Sequence, residues 1–385
     1  VIWDIETDSS NTFFGTIIEI GALLIDENFQ ELDKLNIRCR LPEGVIPQAG
    51  ALLVNQSNVS MLTKANYSHY QMLQEVEATF KRWSPAVFLG YSNINFDDEM
   101  LRKEFFKGLR QPYLTNTNGN KRQDGLNIVR AAFAVNDKVM KTETNEKGNA
   151  VMKLESLARM NGIESGGAHN ALFDANLTKL VLEKIYKEQN VTWKSAMLTG
   201  SREEVENFSR NELMFTLSEY FYGRSKLYLV TPLHSEHMLH PIYKWIQAFD
   251  LRFDPENYFE LPLNELKTEI KKTPKFIRTI RSNKAPVLLH PDYACKVDPY
   301  IAINKEVLTK RANAIKANKD FCGRITLALA EIAQEKRDAG DQSDITPEES
   351  IYVKFVDNKE IPKMEKWHQS SWEEKFKLLD KFEDE

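Results

Sequence analysis

The sequence predicts a mixed α/β fold, and three features carry that prediction. Strand-like segments open the chain one after another, a short apolar run, VFLGY, follows a helix-length stretch, and later segments repeat apolar residues at helical spacing. A sheet begun by consecutive strands and completed by a strand between helices must bury its faces under those helices, which is a layered arrangement.

In chain order, VIWDIE (1–6), TIIEIGALLID (16–26) and ELDKLNIRCRL (31–41) read as strands, and the short DENF connection makes the second and third an antiparallel hairpin. A loop with Pro42, Pro47 and Gly50 leads to a helix near 69–82, and VFLGY is then a buried strand. In NFDDEMLRKEFFKGL the residues Phe96, Met100, Leu101 and Phe105 recur at helical spacing, with Gly108 at the stop. GLNIVRAAFAV (125–135) is a further apolar helix, residues 136–151 are a polar excursion, and KLESLARMNGI is a helix stopped by Gly162. HNALFDANLTKLVLEKIYKEQ enters a long amphipathic helix that closes a first domain, residues 1–190.

Residues 191–344 are less periodic. SKLYLVTPL, FDLRF, YFEL, APVLLHP and DPYIAIN read as short strands split by Pro, His and Asn, with helical inserts at 307–321 and in LALAEIAQEKRDAG, so a small β-rich second domain is expected. DQSDITPEES reads as a linker, and residues 345–385 hold helical fragments. A chain of 385 residues accommodates two or three such domains.

The formal charge of −5 excludes a globally basic protein, so any contact with nucleic acid has to come from a local patch. Cys39, Cys295 and Cys322 are scattered and odd in number; they match neither a disulfide framework nor a zinc spacing, and fit a reducing compartment. No stretch of 18 apolar residues occurs, and the start lacks the regions of a secretion signal, so a soluble, cytoplasmic protein without membrane contact is expected. Because the chain begins at Val1 without a methionine, further terminal sequence is also expected.

Asp4 and Glu6 flank Ile5 in the first strand, and alternate side chains of a strand point to the same face. Two carboxylates that close repel unless a cation compensates them, although an edge strand with two solvated acids has the same pattern. Asp97 follows Phe96 where the sheet's end opens; the same position, and those of Asp98 and Glu99, suit first-turn acids stabilised by the helix macrodipole. His169 and Asp174 lie five residues apart, the histidine on an entry after Gly166 and Gly167 and the acid one turn into a helix. Four carboxylates without a Cys/His cluster select hard cations, Mg²⁺ or Mn²⁺. A pair of such ions roughly 3.5–4 Å apart clamps both the attacking and the leaving oxygen of a phosphodiester. A histidine, with a reference pKa of about 6.5, suits removal of a proton from water, leaving a nucleotide with a 5′ phosphate.

WDIET, NINFDDE and HNALFD together resemble the DEDDh group of 3′ to 5′ exonucleases. LPEGVIPQAGALLVN, FLGYSNINFDDEMLRKEFF, QDGLNIVRAAFA, KLESLARMNGIESGGAHNALFDA and RSNKAPVL are similar, more narrowly, to the bacterial exonuclease I family, which degrades single-stranded DNA. The resemblance implies a ribonuclease-H-like exonuclease domain at 1–190, an SH3-like β-rich domain that helps bind DNA at 191–344, and an incomplete C-terminal helical domain at 345–385. It implies Asp4, Glu6, Asp97 and Asp174 as ligands of two Mg²⁺ ions, with Mn²⁺ able to substitute, and His169 as the base, so that Asp97 is preferred over Asp98. It also implies a monomer, a role in DNA repair or recombination, and single-strand-binding protein as a partner. Where the family has ETFGT, this chain reads Glu6-Thr7-Asp8-Ser9-Ser10, and the following TIIEIGA is more like the proofreading branch of the superfamily.

Contacts with a strand are expected in two places. Between residues 264 and 284, seven cations (Lys267, Lys271, Lys272, Lys275, Arg278, Arg281 and Lys284) face two Glu around Phe276, and Lys310 and Arg311 follow downstream. A basic track with an aromatic ring suits backbone tracking and base stacking. Beside the first strand, Phe13 and Phe14 are candidates to stack on the terminal bases, with Thr7 offering hydrogen bonds to the 3′ end. Two competing readings remain at this point: an exoribonuclease or oligonucleotidase of the same group, and a non-catalytic single-strand-binding protein on the same fold.

Overall fold

A computed structural model of the protein describes residues 1–163, 170–338, 345–353 and 355–383. The chain divides into two compact units, one of Val1–Lys121, Gly166–Asn176 and Ser343–Glu385, the other of Arg122–Ser165 and Leu177–Gln342.

The first unit is built on a mixed sheet of β1 (Ile2–Thr7), β2 (Ile17–Ile25), β3 (Glu31–Arg38) and β4 (Val87–Gly90), in the order β3-β2-β1-β4, while β5 (Lys121–Asp124) begins on the last residue of that unit's first segment and its Arg122–Asp124 belong to the second unit. β1 runs antiparallel to β2 and parallel to β4, so the strand bearing Asp4 and Glu6 is central. The β2–β3 hairpin is closed by Asp26, whose side chain accepts from the amides of Asn28 and Gln30 at 2.8 Å each. The helix His69–Trp83 starts on a capping box of Ser68 and Gln71 and buries Met72, Leu73, Val76, Phe80 and Trp83. Phe80 meets Trp3 of β1 edge-on at 5.8 Å and Phe88 of β4 at 5.0 Å. Each such fully buried side chain stabilises the unit by roughly 1.5–3 kcal/mol. The helix Asp97–Lys107 begins a few residues beyond β4 and seats Met100, Leu101 and Phe105 in the same core. Its first residue therefore lies near the end of the parallel strand pair, where open α/β sheets place their ligands.

The second unit holds an antiparallel sheet of β6 (Phe215–Phe221), β7 (Arg224–Pro232), β8 (Ile246–Asp250), β9 (Ile277–Ile280) and β10 (Leu288–Leu289), in the order β10-β6-β7-β8-β9. Phe215, Leu217, Val230, Ile246, Ala248 and Ile280 form its core.

Several local expectations change here. β6, which was not read as a strand, pairs with β7 through a tight turn in which Tyr222 and Gly223 both take positive φ, 49° and 78°. YFEL lies at a short helix, Glu256–Phe259, and DPYIAIN at a single turn, Tyr300–Ala302, whose Tyr300 is buried with its hydroxyl donating to Asp250 at 2.6 Å. The helical stretch 307–321 divides at Asn318, between Lys305–Ala317 and Lys319–Asp338. The segment from 345 onward is helical at Ile361–Gln369 and Trp372–Leu379, as expected.

Candidate metal centre and nucleic-acid groove

The alternation of β1 sorts its residues by chemistry. Trp3 and Ile5 are buried in the core, while Asp4 and Glu6 share the opposite, half-buried face. Across the ladder, Asp4 sits opposite Gly21 and Glu6 opposite Glu19. Gly21 is where the helix Ala171–Glu188 meets the sheet: a Cβ there would lie 2.0 Å from the amide nitrogen of Leu172. The missing side chain lets the first turn of that helix lie directly on β2. Asn170 starts the turn, its carbonyl accepting from the amide of Asp174 at 3.0 Å and its Oδ1 from that of Phe173 at 3.2 Å. Ligand atoms of Asp4, Glu6 and Asp174 consequently lie within 4.8 Å of one another.

Asp97 and Asp98 are both buried in the first turn of their helix, and their partners separate them. Asp98 accepts from Thr115 Oγ1 at 3.1 Å and Asn93 Nδ2 at 3.4 Å, which ties it to the local fold. Glu99 pairs with Arg102 at 3.1 Å and accepts from the hydroxyl of Tyr352. Asp97 is the neighbouring charge that acts most strongly on Asp4. It stands beside the cluster, outside the set of three within 4.8 Å.

The electrostatics match this crowding. Burial, reinforced by Asp174 and Glu19 and offset by Arg38, pushes Glu6 up to about 8. Burial together with Asp97, Asp174, Glu6 and Glu19 holds Asp4 well above the usual carboxylate range. Carboxylates that are largely shielded from solvent and converge on one point form an all-oxygen donor set of the kind hard divalent cations take. The residues present therefore fit such an ion.

His169 lies outside the described residues. Thr7 is buried and its hydroxyl donates to the carbonyl of Ser9 at 2.9 Å, so that group is turned into the loop. Phe13 is half-buried under the Lys103 ammonium, 3.6 Å from its ring centre, whereas Phe14 is 55% exposed. Phe276 requires a correction. It is buried, and its ring stacks on Tyr258 at 4.2 Å, so its faces are occupied within the core and are closed to a base.

The basic run is also partly neutralised. Lys267 pairs with Glu331 and Glu335 at 2.8 and 2.7 Å, Lys271 with Glu335 at 3.2 Å, and Lys272 with Glu269 at 2.5 Å. Arg278 bonds Glu219 and Asp250, and Arg311 the carbonyls of Leu251 and Arg252. Lys275, Arg281 and Lys310 are exposed, and Lys284 is half-buried. Lys275, Arg281 and Lys284 line a groove of about 830 Å³ within the second unit, whose walls include Tyr220, Tyr243 and Trp245. Arg281 lies over Trp245 at 4.9 Å and Arg130 over Tyr220 at 4.0 Å. Sequence reasoning missed these aromatics, although the cluster YKW at 243–245 was a usable signal. It also missed Glu19, an acid inside an otherwise apolar strand.

Residues 1–182 match the family model described as Exonuclease, of the RNase T type. Within that class the particular likeness is to exonuclease I, as the sequence motifs indicate. The exodeoxyribonuclease I of Buchnera aphidicola subsp. Schizaphis graminum is 27% identical over 191 residues, covering 49% of this chain and 39% of that protein. That of Haemophilus influenzae is 24% identical over 328 residues, covering 83% of this chain and 68% of that protein. The matched stretch thus spans less than half the length of the Buchnera relative. Among solved structures, exonuclease I from Methylocaldum szegediense superposes with a TM-score of 0.79 at 19% identity, over 99% of this chain and 81% of that one. Escherichia coli exonuclease I in complex with a dA16 oligonucleotide gives 0.77 at 19%, over 96% and 80%. An exonuclease I complex with SSB-Ct gives 0.75 at 19%, over 96% and 79%. These superpositions show that the mixed α/β fold is that of the exonuclease I structures.

Proposed function

We propose that this chain is a metal-dependent exonuclease that removes 5′-mononucleotides from the 3′ end of single-stranded DNA. The observation that carries the reading is the convergence of Asp4, Glu6 and Asp174, with Asp97 beside Asp4, on one face of an exonuclease-type sheet. These four carboxylates would hold two Mg²⁺ ions, or Mn²⁺ in their place. When bound, such ions polarise a phosphoryl oxygen and lower the pKa of water. His169, by its motif position, takes the proton of the attacking water at its imidazole nitrogen. Phe14, exposed beside β1, is the better candidate of the loop pair to stack on the terminal base, since Lys103 covers a face of Phe13.

The groove of the second unit, with cations laid over aromatic rings, suits a single strand, and its sheet is read as the SH3-like domain expected at 191–344. The segment 345–385 is read as the beginning of a helical domain. The complexes of exonuclease I with dA16 and with SSB-Ct support single-stranded DNA and a single-strand-binding protein as partners here too. Among the described residues no helix is long and apolar enough to cross a membrane. The three free cysteines support a reducing, cytoplasmic setting, and the reading is of a monomer in DNA repair or recombination.

Digestion of a 5′-end-labelled single strand tests the whole reading. With Mg²⁺ the label is expected in a ladder that shortens from the 3′ end, and with EDTA in uncut strand. A matched RNA strand cut as fast as DNA would overturn the substrate, and release of the label first would overturn the polarity.

A further inference from the structure

Glu19 is 1% exposed and stands directly opposite Glu6 on the β1–β2 ladder, inside a strand whose other buried side chains are apolar. Like charges placed opposite each other destabilise a sheet, and a buried ion pair is commonly no more stable than an apolar pair of the same volume. Stability therefore gives no reason for this carboxylate, and its contacts supply one. On its other side Glu19 is opposite Arg38 of β3, so that Glu6, Glu19 and Arg38 form one row across three strands. Arg38 pairs with Oε2 of Glu19 and is itself steadied by Ser57 Oγ at 3.2 Å. The remaining oxygen, Oε1, accepts from Asn170 Nδ2 at 2.5 Å. Asn170 is the residue whose Oδ1 and carbonyl start the helix carrying Asp174, and it follows His169 in sequence.

We infer that the buried Glu19–Arg38 pair is a positioning device: it orients Asn170, and through it the helix start, so that Asp174 is delivered to Asp4 and Glu6. Both polar ends of the Asn170 side chain are used, one on the sheet and one on the helix, so the link is rigid in both directions. Arg38, bonded to Oε2, fixes the Glu19 carboxyl so that Oε1 faces Asn170. This inference rests on the proposed metal-dependent reading of the cluster.

A double-mutant cycle on the full chain tests it, with Glu19→Gln, Asn170→Ala and the two combined. Mn²⁺ affinity is read by calorimetry, and kcat and KM are read on a labelled single strand. Each single variant is expected to lose roughly 10- to 100-fold in Mn²⁺ affinity, the range for groups that orient metal ligands. kcat should fall at limiting metal while KM for DNA stays unchanged, and the combined variant should be no worse than the weaker single one, because both break one link. Wild-type Mn²⁺ affinity in both singles, even with a lowered Tm, would overturn the inference, as would strictly additive losses. A wild-type chain that binds Mn²⁺ and shows the coupling but leaves DNA intact would refute the nuclease reading while upholding the positioning role. A chain that takes up no Mn²⁺ would refute both.

Discussion

Asp4→Asn is expected to abolish chain shortening, with a loss of roughly 10³-fold or more in kcat, and at the same time to raise the stability of the metal-free chain. The two effects have one cause. Asp4 is on the central strand and is acted on by Asp97, Asp174, Glu6 and Glu19 together, more neighbouring acids than act on Glu6. Amide for carboxylate keeps the shape and removes both the negative charge that would hold the cation and the repulsion it imposes on its neighbours. An orienting group costs 10- to 100-fold when removed, and loss of a ligand that such groups serve costs more.

The sign of the stability change follows from linkage. Glu6 rises from an ordinary 4.5 to about 8 on folding, and Asp4 also rises. A carboxyl raised in the folded state contributes stability that is present in full below its unfolded pKa and is lost as pH climbs through the folded value. The metal-free wild type should therefore melt progressively lower between about pH 4.5 and pH 8, with Mg²⁺ restoring Tm most at the upper end. In Asp4→Asn the slope should be shallower and the Mg²⁺ response small. Calorimetric melting with EDTA and with Mg²⁺ across that range checks this. Undiminished shortening by the variant, or a metal-free Tm that rises with pH in the wild type, would defeat the account.

What the sequence made legible followed from short-range periodicity. Asp4 and Glu6 share a face because a strand repeats every two residues, and Ile5 between them is buried as that period requires. Asp174 sits one turn into its helix as its spacing from the glycine-rich entry indicates. Asp97 and Asp98 could not be separated locally, since both occupy one first turn. The residues that claim Asp98 include Thr115, which is brought beside it only by the fold. The basic run misled for the same reason: the acids that neutralise Lys267 and Lys271 are Glu331 and Glu335, on a helix far downstream. Phe276 reads as an aromatic among cations, yet it leads into β9 and is stacked by Tyr258, from a helix that sequence periodicity did not reveal. Glu19 was hidden by its company, because a single acid in an apolar strand acquires meaning only from Arg38 and Asn170.

Gly21→Ala is expected to damage the site without altering any carboxylate. The added methyl would meet the Leu172 amide nitrogen at 2.0 Å and the Ala171 carbonyl carbon at 2.3 Å. Both are main-chain atoms at the start of a helix and neither can swing aside, while ordinary contact begins near 3.4 Å. The helix start or β2 must then retreat by about 1 Å, a displacement that can cost on the order of 10²-fold in rate when it moves a reacting group. Overpacking of this kind destabilises by about 1–3 kcal/mol, so Tm should fall both with and without metal. Asp174 rides on the displaced turn and should separate from Asp4 and Glu6, weakening Mn²⁺ binding. The pattern is opposite to that of Asp4→Asn, for which the metal-free chain gains stability. Melting curves with and without Mn²⁺, together with a Mn²⁺ titration, distinguish the two. An alanine variant with wild-type Tm and affinity would mean that the helix start does not depend on the bare backbone at Gly21 for its seat on the sheet.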